Sequence, residues 1–336
     1  MGRRTGARYP ADCAYPARRD HDPGKEDAMP DDAARRLPTQ DEVNEQLWGR
    51  SNWGRWGADD ERGTVNLITP AKRARAAALV RTGETVSLSR PLPTQQSPTN
   101  PKPAQHYTMW DDRNLGWGGA SDFYGIEYHG HTTTHIDALC HIWGPDGLYN
   151  GRDPAATLTP RGARKNDVAA FQGGIVTRGV LLDVTRHRGV DFVEEDAPVH
   201  GWELAEIAQA QGVTLEPGDA LLICNGREAF YAARPGKIPG QPPIPGLHAT
   251  CLPFLRDNDV ALLGWDLMDL KPTGYELDWG VHGVIPAYGL PLLDNALLEP
   301  LAAYCATQGR YEFLLMVLPL VVKGGTGSPV NPIAMF

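Results

Sequence analysis

A helix and a strand follow one another in residues 202–224, which read WELAEIAQAQGVTLEPGDALLIC. Leu204 and Ile207 have helical spacing in the segment up to residue 211, and Gly212 marks the end of that helix. The run Ala220–Cys224 has the composition of a buried strand. A helix followed by a short buried strand is the repeating unit of an α/β sheet, so this stretch predicts the fold class.

The alternation of strand and helix continues on both sides of this stretch. Further strands are predicted at four places, residues 85–89, 180–184, 260–265 and 314–322. Proline-rich loops are expected at residues 92–103 and 235–246. Together these segments predict an α/β fold with a mixed β-sheet flanked by helices.

Two more helices are indicated by residues at their N-termini. Thr69 as N-cap and Pro70 at the first position predict a helix over residues 70–80. Asp294 is a candidate N-cap for a helix over residues 295–307.

Length and composition suggest one catalytic domain behind a polar extension. Residues 1–38 mix Arg, Asp, Pro and Gly without apolar periodicity, so we expect a disordered N-terminal extension there. Residues 39–336 are predicted to form a single α/β catalytic domain, which is long enough to bury a large apolar core.

The charge pattern excludes several classes of partner. The chain has 32 basic and 41 acidic residues, a net charge of -9, and no basic stripe, which argues against nucleic acid and anionic membranes. Its longest apolar run, residues 313–322, is about half a membrane span. The five cysteines are scattered without a CxxC pair, which favours reduced thiols in a soluble, cytoplasmic protein acting on a small molecule.

Four of the ten histidines fall in residues 129–141, which read HGHTTTHIDALCH. In an extended chain His131, His135 and Asp137 point to the same side, and two imidazoles with a carboxylate suit a borderline divalent cation. His141 has the same parity, but the chain must turn to bring it to the same site. Cys140 has the opposite parity and is predicted to pack in the core.

The residues around this cluster allow more than one interpretation. His129 is expected either to hydrogen-bond a residue that ligates the metal, without contacting the metal itself, or to be solvated. Asp266 and Asp269 follow a predicted strand and could lie near the site, although solvated or capping roles are the simpler expectation. Trp56 and Trp117 lie in glycine-rich sequence before the cluster and are predicted to bind the substrate.

The pattern His-x-x-Thr-His-x-Asp-x-x-x-His resembles the signature of the cyclase-like metal-dependent hydrolases, a family that includes bacterial kynurenine formamidase and isatin hydrolase. The signature residues here are His131, Thr134, His135, Asp137 and His141. Downstream, His282 and Asp294 stand twelve residues apart, where the family has a histidine and a glutamate. The run KGGTGSPV at residues 323–330 is similar to the family's C-terminal Gly-Ser-Pro stretch.

The resemblance implies a ligand set and a fold. His131, His135 and Asp137 would hold one Zn²⁺ or Mn²⁺ ion, Asp137, His282 and Asp294 a second ion or a neighbouring position, and His141 would be the general base or acid. The implied fold is a mixed sheet of the swivelling β/α/β type, in a homodimer or homotetramer.

The chain departs from the family pattern at four positions: Thr133 for Gly, Leu139 for Pro, Asp294 for Glu and Asn331 for Arg. Together the motifs predict hydrolysis of an amide, cyclic amide or lactone by metal-activated water, as in amidohydrolases. Two alternatives stay open, a metal-dependent cyclase or dehydratase and a metal-binding protein without catalysis.

Overall fold

Parallel strands lie at the middle of one large mixed sheet, and antiparallel strands lie on both sides. The computed structural model describes residues 35–112 and 117–336. The strands of this part are, in chain order, β1 (Thr85–Ser87), β2 (Gln105–Asp112), β3 (Gly118–Gly125), β4 (His135–Asp137), β5 (Leu158–Thr159), β6 (Gly162–Ala163), β7 (Ile175–Asp183), β8 (Ala220–Cys224), β9 (Leu262–Trp265), β10 (Leu292–Asp294), β11 (Glu312–Val317), β12 (Gly327–Pro329) and β13 (Ile333–Met335).

The helices are short. The α-helices of the described chain are α1 (Gln40–Asn44), α2 (Pro70–Ala77), α3 (Pro154–Thr157), α4 (Val184–Arg188), α5 (Gly201–Ala210), α6 (Arg227–Ala233), α7 (Cys251–Asp257), α8 (Val284–Tyr288) and α9 (Glu299–Gln308). A π-helical turn at Glu45–Gly49 and 3₁₀ turns at Gly63–Leu67, Tyr149–Gly151, Val168–Phe171 and Val281–Gly283 complete them.

The nine-stranded sheet has the order β1-β13-β11-β7-β8-β9-β10-β4-β12. Strands β7, β8, β9 and β10 run parallel to one another, whereas β11 pairs antiparallel with β7, and β4 pairs antiparallel with both β10 and β12. All five residues of β8 are buried, as expected for a central parallel strand. Helices α2 and α5 pack against β7, so the mixed sheet flanked by helices is confirmed.

A buried ion cluster joins the sheet to α2. Asp219, which is 0 % exposed, lies 2.6 Å from Lys72 Nζ and accepts a hydrogen bond of 2.6 Å from Arg178 Nη2. Lys72 is itself only 2 % exposed. Because both cations contact one carboxylate, its buried charge is compensated.

Several predicted elements have different bounds, and α2 and β1 end two or three residues early, at Ala77 and Ser87. The strand predicted at residues 180–184 begins earlier, at Ile175, because Arg178 interrupts the apolar run but pairs with Asp219. The helix predicted from residue 295 begins at Glu299, since Asn295 has a positive φ of 54° and Asp294 ends a strand instead of capping a helix. The last long strand ends at Val317, before Pro319.

A two-stranded ribbon was not predicted. Strands β2 and β3 pair only with each other within the described chain, and Trp110 and Phe123 on them are 77 % and 48 % exposed. Trp117, just before β3, is 90 % exposed. The aromatic residues of this segment therefore lie outside the core.

Residues 37–336 form one compact unit. The predicted N-terminal extension, residues 1–38, falls almost wholly outside the described residues. None of the helices in residues 35–112 and 117–336 is long and apolar enough to cross a membrane.

Candidate metal centre

The carboxylate of Asp137 lies inside the protein without a hydrogen-bond partner. Asp137 is 0 % exposed, and neither of its oxygens is hydrogen-bonded within the described chain. It lies on β4, where it pairs with Gly327 of β12, while His135 of the same strand pairs with Asp294 of β10. An uncompensated buried carboxylate costs several kcal/mol, so this group requires positive charge beside it.

Three imidazoles surround that carboxylate. His129 Nδ1 lies 3.0 Å and His135 Nε2 lies 3.3 Å from Asp137 Oδ1, and His141 Nε2 lies 3.8 Å from Oδ2. The structure thus brings together three of the four clustered histidines, including His129. Cys140 is buried in the core, as predicted.

A second carboxylate, Asp294, lies on the far side of His135. His282 Nε2 is 3.2 Å and His135 Nε2 is 4.0 Å from Asp294 Oδ2. The indole Nε1 of Trp265, at the end of β9, donates to Asp294 Oδ1 at 2.5 Å. One oxygen of Asp294 is thereby fixed, and the other faces the imidazoles.

The imidazoles of His135 and His282 are each oriented by a hydrogen bond at Nδ1. His135 Nδ1 donates to the carbonyl of Thr133 at 2.8 Å. His282 Nδ1 lies 2.6 Å from Asp269 Oδ2, and the backbone N–H of His282 donates to Asp269 Oδ1 at 3.0 Å. Such bonds select the tautomer that leaves Nε2 free for a metal. Asp269, for which a solvated or capping role was the simpler expectation, is therefore a positioning residue.

The protonation preferences follow from these contacts. Burial disfavours charge on His135 and His282, but Asp137 raises the pKa of His135 to about 8, and Asp269 and Asp294 raise the pKa of His282 well above its ordinary value. Against its burial, His141 and His135 hold the pKa of Asp137 well below its usual range. The buried carboxylates therefore favour positive charge beside them, which either protonated imidazoles or a bound cation would supply.

His131 lines the cavity beside the other predicted ligands, and its role as a metal ligand stays a prediction. The strand starts only at His135, and Gly130, with a φ of 126°, turns the chain before it, so the parity argument does not extend to His131. Its ring lines the same cavity but belongs to neither of the two His/Asp groups of the described chain that could hold an ion. Burial and the charge of Arg227 lower the pKa of His131 to about 4, so the ring is neutral.

Asn295 is a positioning residue that the sequence did not indicate. Its side-chain amide donates to the carbonyls of Gly130 and Thr133 at 2.7 and 3.0 Å, and Arg227 donates to its Oδ1 at 2.9 Å. This buried residue, directly after Asp294, thus ties the histidine segment to β10.

Asp266 has a structural role. It is 0 % exposed, and its carboxylate accepts backbone N–H bonds from Asn225, Gly226 and Leu267 at 2.7–3.0 Å. It therefore stabilises the turn before α6, as expected for a capping residue.

A cavity of about 160 Å³ opens onto these groups. Its lining includes His131, His135, His141, His282 and Asp294, together with Lys271 and Trp279. A neighbouring apolar cavity of about 320 Å³ shares Trp279 and is also lined by Trp48 and Trp143.

The two tryptophans predicted to bind substrate lie elsewhere. Neither Trp56 nor Trp117 lines the cavity at the His/Asp groups. Trp117 adjoins the exposed ribbon, and the ring of Trp56 packs under the guanidinium of Arg55 at 4.8 Å. Trp143 lies two residues after His141, and Trp279 lies three residues before His282. This proximity to predicted site residues is a sequence signal that would have indicated them as substrate-contacting residues.

The donor set fits a divalent cation. One group, His135, Asp137 and Asp294, places its ligand atoms within 4.8 Å of one another, and a second group combines Asp137 with His129 and His141. Imidazole and carboxylate together suit zinc and similar ions, and the bare Asp137 oxygens supply the charge that such an ion neutralises.

The sequence comparisons identify the family of this chain. The model of the family described as "Putative cyclase" matches residues 85–272. The kynurenine formamidase of Bacillus cereus is 32% identical over 90 residues, which are 27% of this chain and 39% of that enzyme. The match therefore spans about two fifths of the curated relative.

The comparison of folds reaches further along the chain. A crystal structure described as a novel cyclase has a TM-score of 0.74 and 29% identity, covering 85% of this chain and 99% of the other. Isatin hydrolase A from Labrenzia aggregata, bound to benzyl benzoate, has a TM-score of 0.50 and 18% identity, covering 77% and 94% of the two chains. The latter likeness concerns the fold alone.

Proposed function

This chain belongs to the cyclase family, and from that premise we propose that it is a metal-dependent hydrolase of an amide, cyclic amide or lactone. The observation that supports this most is Asp137, a fully buried carboxylate with two unpartnered oxygens among imidazoles. The similarity to kynurenine formamidase favours hydrolysis over the other chemistries open to such a site.

His135, Asp137 and Asp294, with His282 beside Asp294, would hold the catalytic ion. A bound Zn²⁺ or Mn²⁺ supplies Lewis-acid polarisation of a carbonyl and activation of water. Asp269 and the Thr133 carbonyl keep the imidazoles of His282 and His135 in the ligating tautomer.

His141 is the proposed general base. Burial lowers the pKa of His141 to about 4, against the opposing charge of Asp137, so its imidazole is neutral at pH 7 and can accept a proton. It accepts the proton of the attacking water and returns it to the leaving amine or alkoxide. Its Nε2 already faces the Asp137 carboxylate, on the side of the cavity.

Trp143 and Trp279 are the proposed substrate-contacting aromatics, in place of Trp56 and Trp117. They are 50 % and 37 % exposed and line the 320 Å³ cavity next to the His/Asp groups. Lys271 Nζ lies 4.6 Å from the Trp279 ring centre and lines the cavity of the site, where it would favour an anionic group on the substrate or product.

The test uses the purified full chain with Zn²⁺ or Mn²⁺ and three probe substrates, an N-formyl arylamine, a cyclic amide and an aryl lactone, in ¹⁸O-labelled water. We expect turnover that a chelator abolishes and that places one labelled oxygen in the acid product. His141→Ala should lose turnover by about 10²–10⁴-fold while keeping the catalytic ion, and His187→Ala, on exposed α4, serves as the matched control.

The alternatives give other results. A cyclase or dehydratase would form product without labelled oxygen, and a metal-binding protein would show no turnover that His141→Ala could remove. A chain that binds no divalent ion would contradict the proposal. Cytoplasmic location and assembly into a homodimer or homotetramer stay predictions.

A further inference from the structure

The ammonium group of Lys271 lies at the cavity of the metal centre without a carboxylate partner. Lys271 is partly buried and lines the 160 Å³ cavity. In the part of the chain that the structure describes, its Nζ forms no ion pair, whereas several other lysines do, namely Lys72, Lys102, Lys165 and Lys237. A cation that lines a cavity and lacks a counter-charge favours an anionic ligand there.

Both the backbone and the side chain of Lys271 are held in place. Its carbonyl accepts a hydrogen bond from Ile244 N–H at 2.8 Å, and its own N–H donates to the Ile244 carbonyl at 3.0 Å. Its Nζ lies 4.6 Å from the centre of the Trp279 ring and donates to the Asp278 carbonyl at a long 3.4 Å. Because an ammonium group has three donors, at least one N–H stays available to a ligand.

The carboxylates of the cavity are engaged elsewhere. Asp269 accepts from the ring and the backbone N–H of His282, and Asp294 faces the imidazoles. The catalytic ion proposed above would balance the charges of Asp137 and Asp294. Among the lining residues of this cavity in the described chain, Lys271 is the one lysine or arginine.

We propose that Lys271 binds a carboxylate group of the substrate, so that the chain prefers carboxylate-bearing aromatic amides, cyclic amides or lactones to their neutral counterparts. The inference rests on the proposed function, because the reacting carbonyl has to lie at the ion in the same cavity. One ammonium carries a single positive charge, which matches a monoanionic carboxylate and leaves a phosphate dianion half compensated. Trp279 lines this cavity and the 320 Å³ cavity, so an aromatic ring beside it would contact both.

The experiment uses inhibitors that are anchored on the metal ion. A hydroxamate binds zinc through its two oxygens, so benzohydroxamate occupies the ion, and its meta- and para-carboxy derivatives each add a carboxylate. Their dissociation constants for the zinc-loaded full chain are measured by calorimetry. We expect the better carboxy derivative to bind about tenfold more tightly than benzohydroxamate, the gain of one hydrogen bond between charged groups. Raising the salt concentration should reduce this gain.

Three variants make the result specific. Lys271→Met removes the charge and should bind benzohydroxamate as the wild type does, while the advantage of the carboxylate disappears. Lys271→Arg restores a cation and should keep an advantage for the carboxylate. Lys102→Met is the matched control, since Lys102 pairs with Glu127 at the surface and does not line the cavity, so the full advantage should persist in it.

Turnover tests the assignment to the substrate. An N-formyl aminobenzoate should have a KM about tenfold below that of N-formyl aniline with little change in kcat, and Lys271→Met should remove the difference.

The hydroxamates distinguish failure of this inference from failure of the proposed function. Equal affinities of all three for the wild type, or a carboxylate advantage that survives in Lys271→Met, overturn the subsite and leave the proposed function standing. Weaker binding of benzohydroxamate itself to Lys271→Met also overturns it, because the lysine would then act on the metal centre. Zinc-loaded protein that binds no hydroxamate contradicts the proposed function and the subsite with it. A carboxylate advantage that Lys271→Met removes supports the subsite even if no probe substrate is hydrolysed.

Discussion

Asp269→Asn tests whether a carboxylate behind His282 tunes the metal site. Asp269 is 2 % exposed and contacts His282 twice, through Oδ2 at 2.6 Å from the ring Nδ1 and through Oδ1, which accepts the backbone N–H at 3.0 Å. Asparagine keeps the volume but has one oxygen and one NH₂ group. In either orientation of the amide, its NH₂ group faces one of the two N–H donors of His282, the backbone N–H or the ring Nδ1–H, and that hydrogen bond is lost.

The cost can be estimated from these contacts. A hydrogen bond to a charged group contributes about 1.5–3 kcal/mol, and about 1.4 kcal/mol corresponds to a tenfold change in affinity. If the ring instead moves its proton to Nε2, that nitrogen, 3.2 Å from Asp294, can no longer ligate. We therefore expect zinc affinity at the catalytic site to fall about 10–100-fold.

The assay is competition between the protein and a chromophoric zinc chelator, after melting curves have shown that the variant is folded. Asp278→Asn is the matched control, because Asp278 is exposed and, among residues 35–112 and 117–336, its backbone carbonyl accepts a hydrogen bond from Lys271 at 3.4 Å while its carboxylate has no hydrogen-bond or ion-pair partner. A folded Asp269→Asn variant with wild-type zinc affinity would refute the positioning role of Asp269.

Three further predictions concern stability and substrate binding. Burial and the charge of Asp266 raise the pKa of Glu299 from 4.5 to about 7. The contribution of protonated Glu299 to stability is therefore complete below about pH 4.5 and is lost as the pH rises through 7. Glu299→Gln should remove roughly 3 kcal/mol of this pH dependence, measured by urea unfolding at pH 5 and pH 8.5. Asp219→Ala removes the buried carboxylate that Lys72 and Arg178 share, leaving them only the more exposed Glu216 and Glu312. It should lower the free energy of unfolding by about 3–5 kcal/mol in the same assay; a loss below 1 kcal/mol would contradict it. Trp143→Ala should raise KM about tenfold with little change in kcat, whereas Trp117→Ala, on the exposed ribbon, should leave KM unchanged; equal effects of the two would argue against the 320 Å³ cavity as the substrate pocket.

Elements with local signals could be predicted from the sequence. Helix α5 and strand β8 lie where their spacing, the glycine and the apolar run place them, within one residue. Helix α2 begins at Pro70, with the Thr69 hydroxyl accepting from Lys72 N–H at 3.1 Å. In these segments the local residues and the final contacts favour the same conformation.

Elements set by distant contacts could not be predicted. Asn295 adopts a positive φ because its amide reaches back to the carbonyls of Gly130 and Thr133, more than 160 residues earlier, and this delays α9. The same kind of contact defines the metal centre. The histidine cluster and Asp137 were evident, but Asp269 acquires its role only through the fold.

The position of His129 depends both on a local sequence pattern and on the path of the backbone. His129 shares the parity of His131 and so could have been included among the ligands, yet only the turn at Gly130 decides which of the two rings faces Asp137. A local pattern can define a set of candidates, while the backbone path selects among them.

The pairing of β4 with β10 limits how this protein could be redesigned. Asp294 lies opposite His135, and successive residues of a strand face opposite sides, so one residue inserted within β10 would turn the carboxylate away from the imidazoles. Strand β10 can therefore tolerate changes of composition but not of length. The exposed residues of 272–278 lie outside the strands and border the cavities, so loop grafts intended to change the substrate should be made there.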